Sequence, residues 1–186
     1  MTFIEKVFAL LLIVILLPLT ILIAIAVKLT SKGPVIHWSK RVGVGNKIFL
    51  MPKIRTMITN APQLATHLMQ KEQSYLSPIG KYLRKTSLDE IPQLWSILVG
   101  DMSFIGPRPA LFNQSDLISL RTRYNIHHLK PGVTGWAQVN GRDSISIAEK
   151  VELEVEYNQR KSNFIFNLRI LFLTFFKVLF KKDIKH

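Results

Sequence analysis

The stretch VFALLLIVILLPLTILIAIAV fills residues 7–27, and only Pro18 and Thr20 within it are not plainly apolar. At about 1.5 Å of rise per residue a helix of this length reaches roughly 31 Å, enough to cross the hydrocarbon core of a bilayer. Its length, the Glu5–Lys6 pair ahead of it and the lack of a small-x-small site before Lys28 argue for a retained anchor rather than a cleaved signal peptide. Pro18 sits near the centre, where it removes one ladder donor and presses its ring on the preceding turn, so a kink or break is expected. A broken helix would enter the membrane and turn back; a single span with a tolerated proline is the other reading of the same residues. Lys28, Lys32, Lys40 and Arg41 follow the run, and the positive-inside rule puts the bulk of the chain in the cytoplasm. The expected division is a membrane segment, residues 1–30, and a working part, residues 31–186.

The rest of the composition narrows what that working part does. Of 186 residues, 25 are Lys or Arg and 12 are Asp or Glu, giving a net charge of +13. The absence of cysteine excludes disulfides, Cys-ligated zinc, iron–sulfur clusters and thiol catalysis. Strong positive charge combined with positive mean hydropathy suits a membrane surface, and no nucleic-acid partner is expected. Between Lys28 and Lys85 stand eleven basic residues and a single acid, Glu72. A solvated cationic face on acidic lipid headgroups accounts for such a stretch, and so does a phosphate-rich ligand.

The fold class read from the pattern is mixed α/β and membrane-associated. Residues 34–40 and 47–55 read as two short strands of a hairpin, joined by Gly43-Val44-Gly45-Asn46, whose glycines and asparagine suit positive φ. The Gly-x-Gly here lacks the third glycine of a dinucleotide fingerprint, and no Walker lysine motif occurs. Residues 61–75 read as a polar helical connector. Residues 146–161 form a helix opened by a Ser146/Glu149 capping box, with Glu149, Glu152 and Glu156 on a solvated face and a Glu156–Arg160 pair. Residues 164–180 follow Asn163 as N-cap and carry two cations in an otherwise apolar run, which suits an interfacial amphipathic helix; burial against the core competes with that reading.

Three motifs carry chemistry. In residues 84–95, RKTSLDEIPQLW, Asp89 and Glu90 follow a basic pair where a helix should start, from a Ser87/Glu90 capping box or nearer Asp89 as Pro92 suggests. Helix capping alone explains such a pair; its setting of two acids in a cationic half-chain beside a membrane anchor suits a nucleophile or metal-holding dyad. In residues 100–109, GDMSFIGPRP, two prolines pin the backbone around Arg108, which aims one guanidinium or merely stiffens a loop. Residues 129–143, LKPGVTGWAQVNGRD, combine three glycines with Trp136, Gln138, Asn140 and Arg142, so the backbone can approach a ligand and side chains can donate in pairs. His127 and His128 lack a further ligand at zinc spacing and read as surface or core histidines.

In this order and spacing, behind a proline-interrupted apolar segment, the three motifs resemble the bacterial sugar transferase family, the small monotopic phosphoglycosyl transferases, from about Phe3 to Lys182. The resemblance implies a re-entrant N-terminal helix with both flanks cytoplasmic, on the bacterial inner membrane. It implies transfer of a sugar 1-phosphate from a UDP-sugar, an N-acetylated one being expected, to undecaprenyl phosphate, with release of UMP and with Mg²⁺ as cofactor. Asp89 matches the nucleophile and Glu90 its dyad partner, both also metal-holding. Arg84 and Arg108 match phosphate-binding residues, and Lys53, Arg55, Gln138, Asn140 and Arg142 match segments lining the nucleotide-sugar pocket. Membrane phospholipids are implied partners, and a homodimer is compatible with the pattern. Leu17 stands where a serine commonly precedes the membrane proline, residues 77–80 (SPIG) replace the usual lead-in to the dyad helix, and Ile54 replaces a frequent aromatic. Two alternatives stay open: a non-catalytic membrane-anchored adaptor binding acidic lipids or nucleic acid through its basic face, and one-step displacement by the lipid phosphate with Asp89 as metal ligand.

Overall fold

The computed structural model describes residues 3–59, 61, 75–141 and 145–180, with backbone alone for the last two. The expected connector at 61–75 lies almost wholly outside the described residues, and so does Arg142. The chain forms two compact units, Met1–Ser39 with Leu50–Gly100, and Lys40–Phe49 with Asp101–His186. The secondary structure is mixed α/β, as expected.

The first unit is built on helix α1, Phe3–Thr30. Among the described residues it is the one helix long and apolar enough to cross a membrane. The break expected at Pro18 does not interrupt it: α1 continues as one helix through the proline. One proline removes a single ladder donor, and the Thr20 hydroxyl adds one close by, donating to the Leu16 carbonyl at 2.8 Å. Only Ala9, Ile23 and Val27 of α1 are buried, while most of its Leu and Ile side chains are exposed. At its C-terminal end Ile23 and Val27 join Ile54 and Leu83 in a core cluster, with Ile36, Ile79, Leu88 and Ile91 packed around it.

Strands β1 (Ile36–Val42) and β2 (Ile48–Ile54) pair as the expected hairpin. Gly45 and Asn46 take φ of 63° and 61° in the turn, which is why those residue types stand there. The strand then runs on through Arg55, whose N–H donates to the Val35 carbonyl at 2.8 Å. Helices α2 (Gly80–Thr86) and α3 (Gln93–Val99) complete this unit.

In the second unit, β3 (Ser103–Ile105) pairs in parallel with β4 (Gly132–Thr134), crossing over through α4 (Ser115–Arg123). Neither strand was legible as one, because each is three residues long inside a Gly- and Pro-rich loop. Three glycines let these loops touch: a Cβ on Gly106 would overlap the Lys130 carbonyl, on Gly132 the Gly106 nitrogen, and on Gly135 the Gly106 oxygen. Helix α5 (Trp136–Val139) follows, then α6 (Ile147–Arg160), whose Ser146–Glu149 capping box has both arms present. The Ser146 N–H and hydroxyl, in that order, hold the Glu149 carboxyl below the ordinary carboxylate range. Helix α7 (Phe164–Phe180) is N-capped by Asn163 Oδ1, which accepts from the Phe166 N–H at 3.1 Å. Its inner face buries Phe166 and Ile170 against Trp136 and Val139, and Thr174 shares a 2.6 Å hydrogen bond with Thr134. Its outer face leaves Phe164, Ile165, Leu168, Phe172 and Phe175 exposed, so burial against the core, the competing reading of this segment, holds for the inner face alone.

The close approach of backbones at Gly106, Gly132 and Gly135 gives a testable consequence. Gly132→Ala is expected to lower unfolding stability by about 1–3 kcal/mol through overpacking. Denaturation of the detergent-solubilised protein measures this, and a variant as stable as wild type would show that the loops do not meet this closely.

Candidate active site

Asp89 and Glu90 do not open a long helix. Helix α2 stops at Ser87, which takes φ of 56°, and residues 88–90 form a single 3₁₀ turn before α3 begins at Gln93. The expected Ser87/Glu90 capping box is therefore absent: with Ser87 in the left-handed region its hydroxyl makes no cap hydrogen bond. In a 3₁₀ turn, residues three apart eclipse one another. Leu88 and Ile91 accordingly face the same way, into the cluster formed by Ile23, Val27, Ile54 and Leu83. The two acids between them are turned to other sides of the turn. Asp89 is 7% exposed, and Glu90 Oε1 accepts from Lys53 Nζ at 2.8 Å with each side chain 15% exposed. A cation at that distance compensates one of the dyad's two charges.

Strand alternation places Lys53 and Arg55 on one face of β2 and its extension, with Ile54 directed into the core. Arg55 is buried, 5% exposed, and its Nη2 donates to the carbonyl of Ser31 at 2.9 Å and to the Ser31 hydroxyl at 2.7 Å. A guanidinium there satisfies a backbone acceptor just beyond the end of α1 and complements the negative end of the helix dipole. Arg84 Nε donates to Thr56 Oγ1 at 2.9 Å. Lys53, Arg55, Arg84, Asp89 and Glu90 thus all belong to the first unit.

Arg108, Gln138 and Asn140 belong to the second unit. Arg108 is half-buried between two buried prolines. Gln138 has both carboxamide heteroatoms buried without a partner, whereas the exposed Asn140 folds back, its Nδ2 donating to the Trp136 carbonyl at 2.7 Å. Glu156, assigned from sequence to a solvated face, pairs with Arg160 as expected but also accepts from Trp136 Nε1 at 2.6 Å. It is therefore a tie between α6 and the glycine-rich loop.

Over residues 1–181 the chain matches the family described as bacterial sugar transferase. The chain belongs to the bacterial sugar transferase family. A UDP-glucose:undecaprenyl-phosphate glucose-1-phosphate transferase of Escherichia coli is 38% identical over 93% of this chain, and an uncharacterized sugar transferase, EpsL, of Bacillus subtilis is 42% identical over 89%. A UDP-N-acetylgalactosamine-undecaprenyl-phosphate N-acetylgalactosaminephosphotransferase of Aeromonas hydrophila is 34% identical over 87%. The match covers 39% and 38% of the Escherichia and Aeromonas proteins, about two fifths of their length, and 80% of the Bacillus protein. For this sugar transferase domain, no group of three or more His, Asp or Glu side chains that could hold a metal occurs among the described residues. A two-carboxylate donor set fits Mg²⁺ nonetheless, because that ion keeps several waters and takes one or two carboxylates together with substrate phosphates.

Two buried charged residues are absent from the sequence reading, Arg121 and Glu154. Their side chains form a buried ion pair, Arg121 Nε donating to Glu154 Oε2 at 2.8 Å. The signal was present: Glu154 falls on the stripe of α6 that carries Ile147, Val151 and Val155, all packed in one apolar cluster. An acid in that phase requires a buried cation.

The Lys53–Glu90 pair is testable apart from turnover. Lys53→Met is expected to destabilise the protein by about 1.5–3 kcal/mol, the value of a hydrogen bond to a charged group, and Lys53→Met with Glu90→Gln to recover part of it. Denaturation midpoints measure both, and an unchanged midpoint for Lys53→Met would mean that the pair is solvated rather than structural.

Proposed function

We propose that this sugar transferase moves a sugar 1-phosphate from a UDP-sugar to undecaprenyl phosphate and releases UMP, through an aspartyl phosphosugar on Asp89. The observation that carries the reading is the Asp89–Glu90 turn itself: two adjacent carboxylates, one neutralised by Lys53, mounted on the core that closes the end of an apolar helix. The names of the relatives support undecaprenyl phosphate as acceptor and a UDP-hexose as donor, with glucose and N-acetylgalactosamine both represented. An N-acetylated donor remains part of the proposal.

The chemistry follows from charge. The anionic oxygens of a diphosphate repel an approaching nucleophile, so cationic groups must neutralise them before a carboxylate can attack. Arg84 in the first unit and Arg108 in the second are the residues proposed for phosphate, since a guanidinium suits phosphate oxygens. An Asp89 oxygen forms a bond to the phosphorus nearest the sugar while the bond from that phosphorus to the bridging oxygen breaks, and UMP leaves with that oxygen. An oxygen of the lipid phosphate then attacks the same phosphorus, and the Asp89 carboxylate departs unchanged. Glu90, held by Lys53, keeps the dyad's second charge in place. Bound Mg²⁺, held by Asp89 and Glu90, would add positive charge at the diphosphate. Gln138, Asn140 and Arg142 on the glycine-rich loop, and Lys53 and Arg55 on β2 and its extension, are the residues assigned to the nucleotide sugar by this proposal.

The membrane part of the proposal rests on two exposed apolar faces, those of α1 and α7. Neither would stay in water at this extent. The proposal places the apolar face of α1 in the bilayer and that of α7 in the headgroup region, with the Asp89–Glu90 turn at the cytoplasmic surface of the inner membrane. A soluble donor and a lipid acceptor then meet as local partners.

The test is turnover. Asp89→Asn, in detergent with undecaprenyl phosphate and either UDP-glucose or UDP-N-acetylgalactosamine, is expected to release no measurable UMP while unfolding at the wild-type temperature. A variant that turns over at the wild-type rate would remove Asp89 from the mechanism. An inactive wild type with every UDP-sugar would favour the adaptor instead.

A further inference from the structure

Four successive carbonyls in the second unit, those of residues 107–110, are each held by a different donor. The Gly132 N–H donates to the Pro107 carbonyl at 2.9 Å, Arg121 Nη2 to that of Arg108 at 3.0 Å, Arg41 Nη1 to that of Pro109 at 3.1 Å, and the Val42 N–H to that of Ala110 at 3.0 Å. Gly132 and Arg121 matter most, since they fix the peptide planes on either side of the Arg108 Cα. Pro107 and Pro109 already restrict the backbone there. With both planes fixed, the direction in which the Arg108 side chain leaves the chain is fixed too.

Arg121 is itself held. Its guanidinium forks onto Glu154, with Nε on Oε2 and Nη2 on Oε1, and Glu154 is 2% exposed. Leu117 and Val151, one turn before each partner, are buried with Ala110 and Ile126 in the cluster that joins α4 to α6. Leucine and valine would pack these helices as well as an ion pair does, since replacing a buried pair with apolar side chains of similar volume is commonly neutral or stabilising. What apolar side chains cannot supply is an N–H at the Arg108 carbonyl.

We infer that Arg121 and Glu154 are positioning residues for Arg108: Glu154 fixes the guanidinium plane of Arg121, and Arg121 fixes the peptide plane that aims Arg108. The inference rests on the phosphate-binding role proposed for Arg108, and two readouts separate the two. The first is UMP release by the full chain with undecaprenyl phosphate and the better of UDP-glucose and UDP-N-acetylgalactosamine. Arg121→Met with Glu154→Leu is expected to unfold close to the wild-type temperature, yet to turn over about ten- to a hundredfold more slowly, with the same division between kcat and KM as Arg108→Ala. Adding Arg108→Ala to the pair variant should cost nothing further, because the pair acts through Arg108. Losses that multiply, or a pair variant at full rate beside an impaired Arg108→Ala, would overturn the inference.

The second readout is amide hydrogen exchange in the peptide that contains residues 106–110, expected to quicken in the pair variant. If Arg108→Ala turns over normally, the phosphate role of Arg108 falls. Faster exchange would then still support the fixing of its backbone, and unchanged exchange would overturn it. If the pair variant does not fold, Arg121→Lys takes its place. A single ammonium keeps the charge beside Glu154 but cannot fork onto it and reach the Arg108 carbonyl in the same geometry, so the same non-additivity is expected.

Discussion

Burial of Leu88 and Ile91 beside Ile23 and Val27 is the contact on which the proposed chemistry depends. Each is partly buried there and so contributes less than the about 1.5–3 kcal/mol of a fully buried aliphatic side chain, and together they anchor the turn between them. Because that turn is 3₁₀, committing residues 88 and 91 to the core commits Asp89 and Glu90 to other directions. The core partners Ile23 and Val27 come from the end of the apolar helix. The carboxylates are therefore mounted on the packed end of the apolar helix itself rather than on a loop that can drift from it. Arg55 strengthens the same junction by donating to Ser31, just past the helix end, from a position next to Ile54.

The second unit solves a different problem, that of holding a long loop still without long strands. Strands β3 and β4 pair at only two registers, Ser103 with Gly132 and Ile105 with Thr134. Rigidity comes instead from backbones in direct contact at three glycines and from side chains that reach into the loop, Arg41 and Arg121 among them. Tyr157 adds another, its hydroxyl donating to the Ile105 carbonyl at 3.1 Å. A loop held in this way would lose little entropy on binding the ligand proposed for it. Helix α7 seals it from one side through Phe166 and Ile170 and leaves an apolar face outward.

Much of this was legible in the chain because the signals were local. The apolar run, the hairpin turn at Gly45-Asn46, the Ser146–Glu149 box and the Asn163 cap each depend on residues within a few positions of one another, and each is found where expected. The Ser87 box is absent because Ser87 takes the left-handed conformation that ends α2, where its hydroxyl makes no cap hydrogen bond. Strands β3 and β4 were hidden since three residues show no period, and the Arg121–Glu154 pair was hidden since its partners are 33 residues apart. Asp89 and Glu90 are legible as a pair of acids in a basic setting, but Lys53 as the partner of Glu90 requires the fold, the two being brought together by β2.

The central claim is that Asp89 becomes covalently bonded to the sugar phosphate before the lipid takes part. Intact-protein mass spectrometry after mixing the wild-type protein with UDP-sugar and Mg²⁺, with undecaprenyl phosphate left out, tests it most directly. The account predicts one sugar-phosphate adduct per chain, matched by one UMP, located on the peptide that contains Asp89 and released when the lipid phosphate is added. Turnover that begins only on adding undecaprenyl phosphate, with neither adduct nor UMP before it, would contradict the account and assign the reaction to direct displacement between the two substrates.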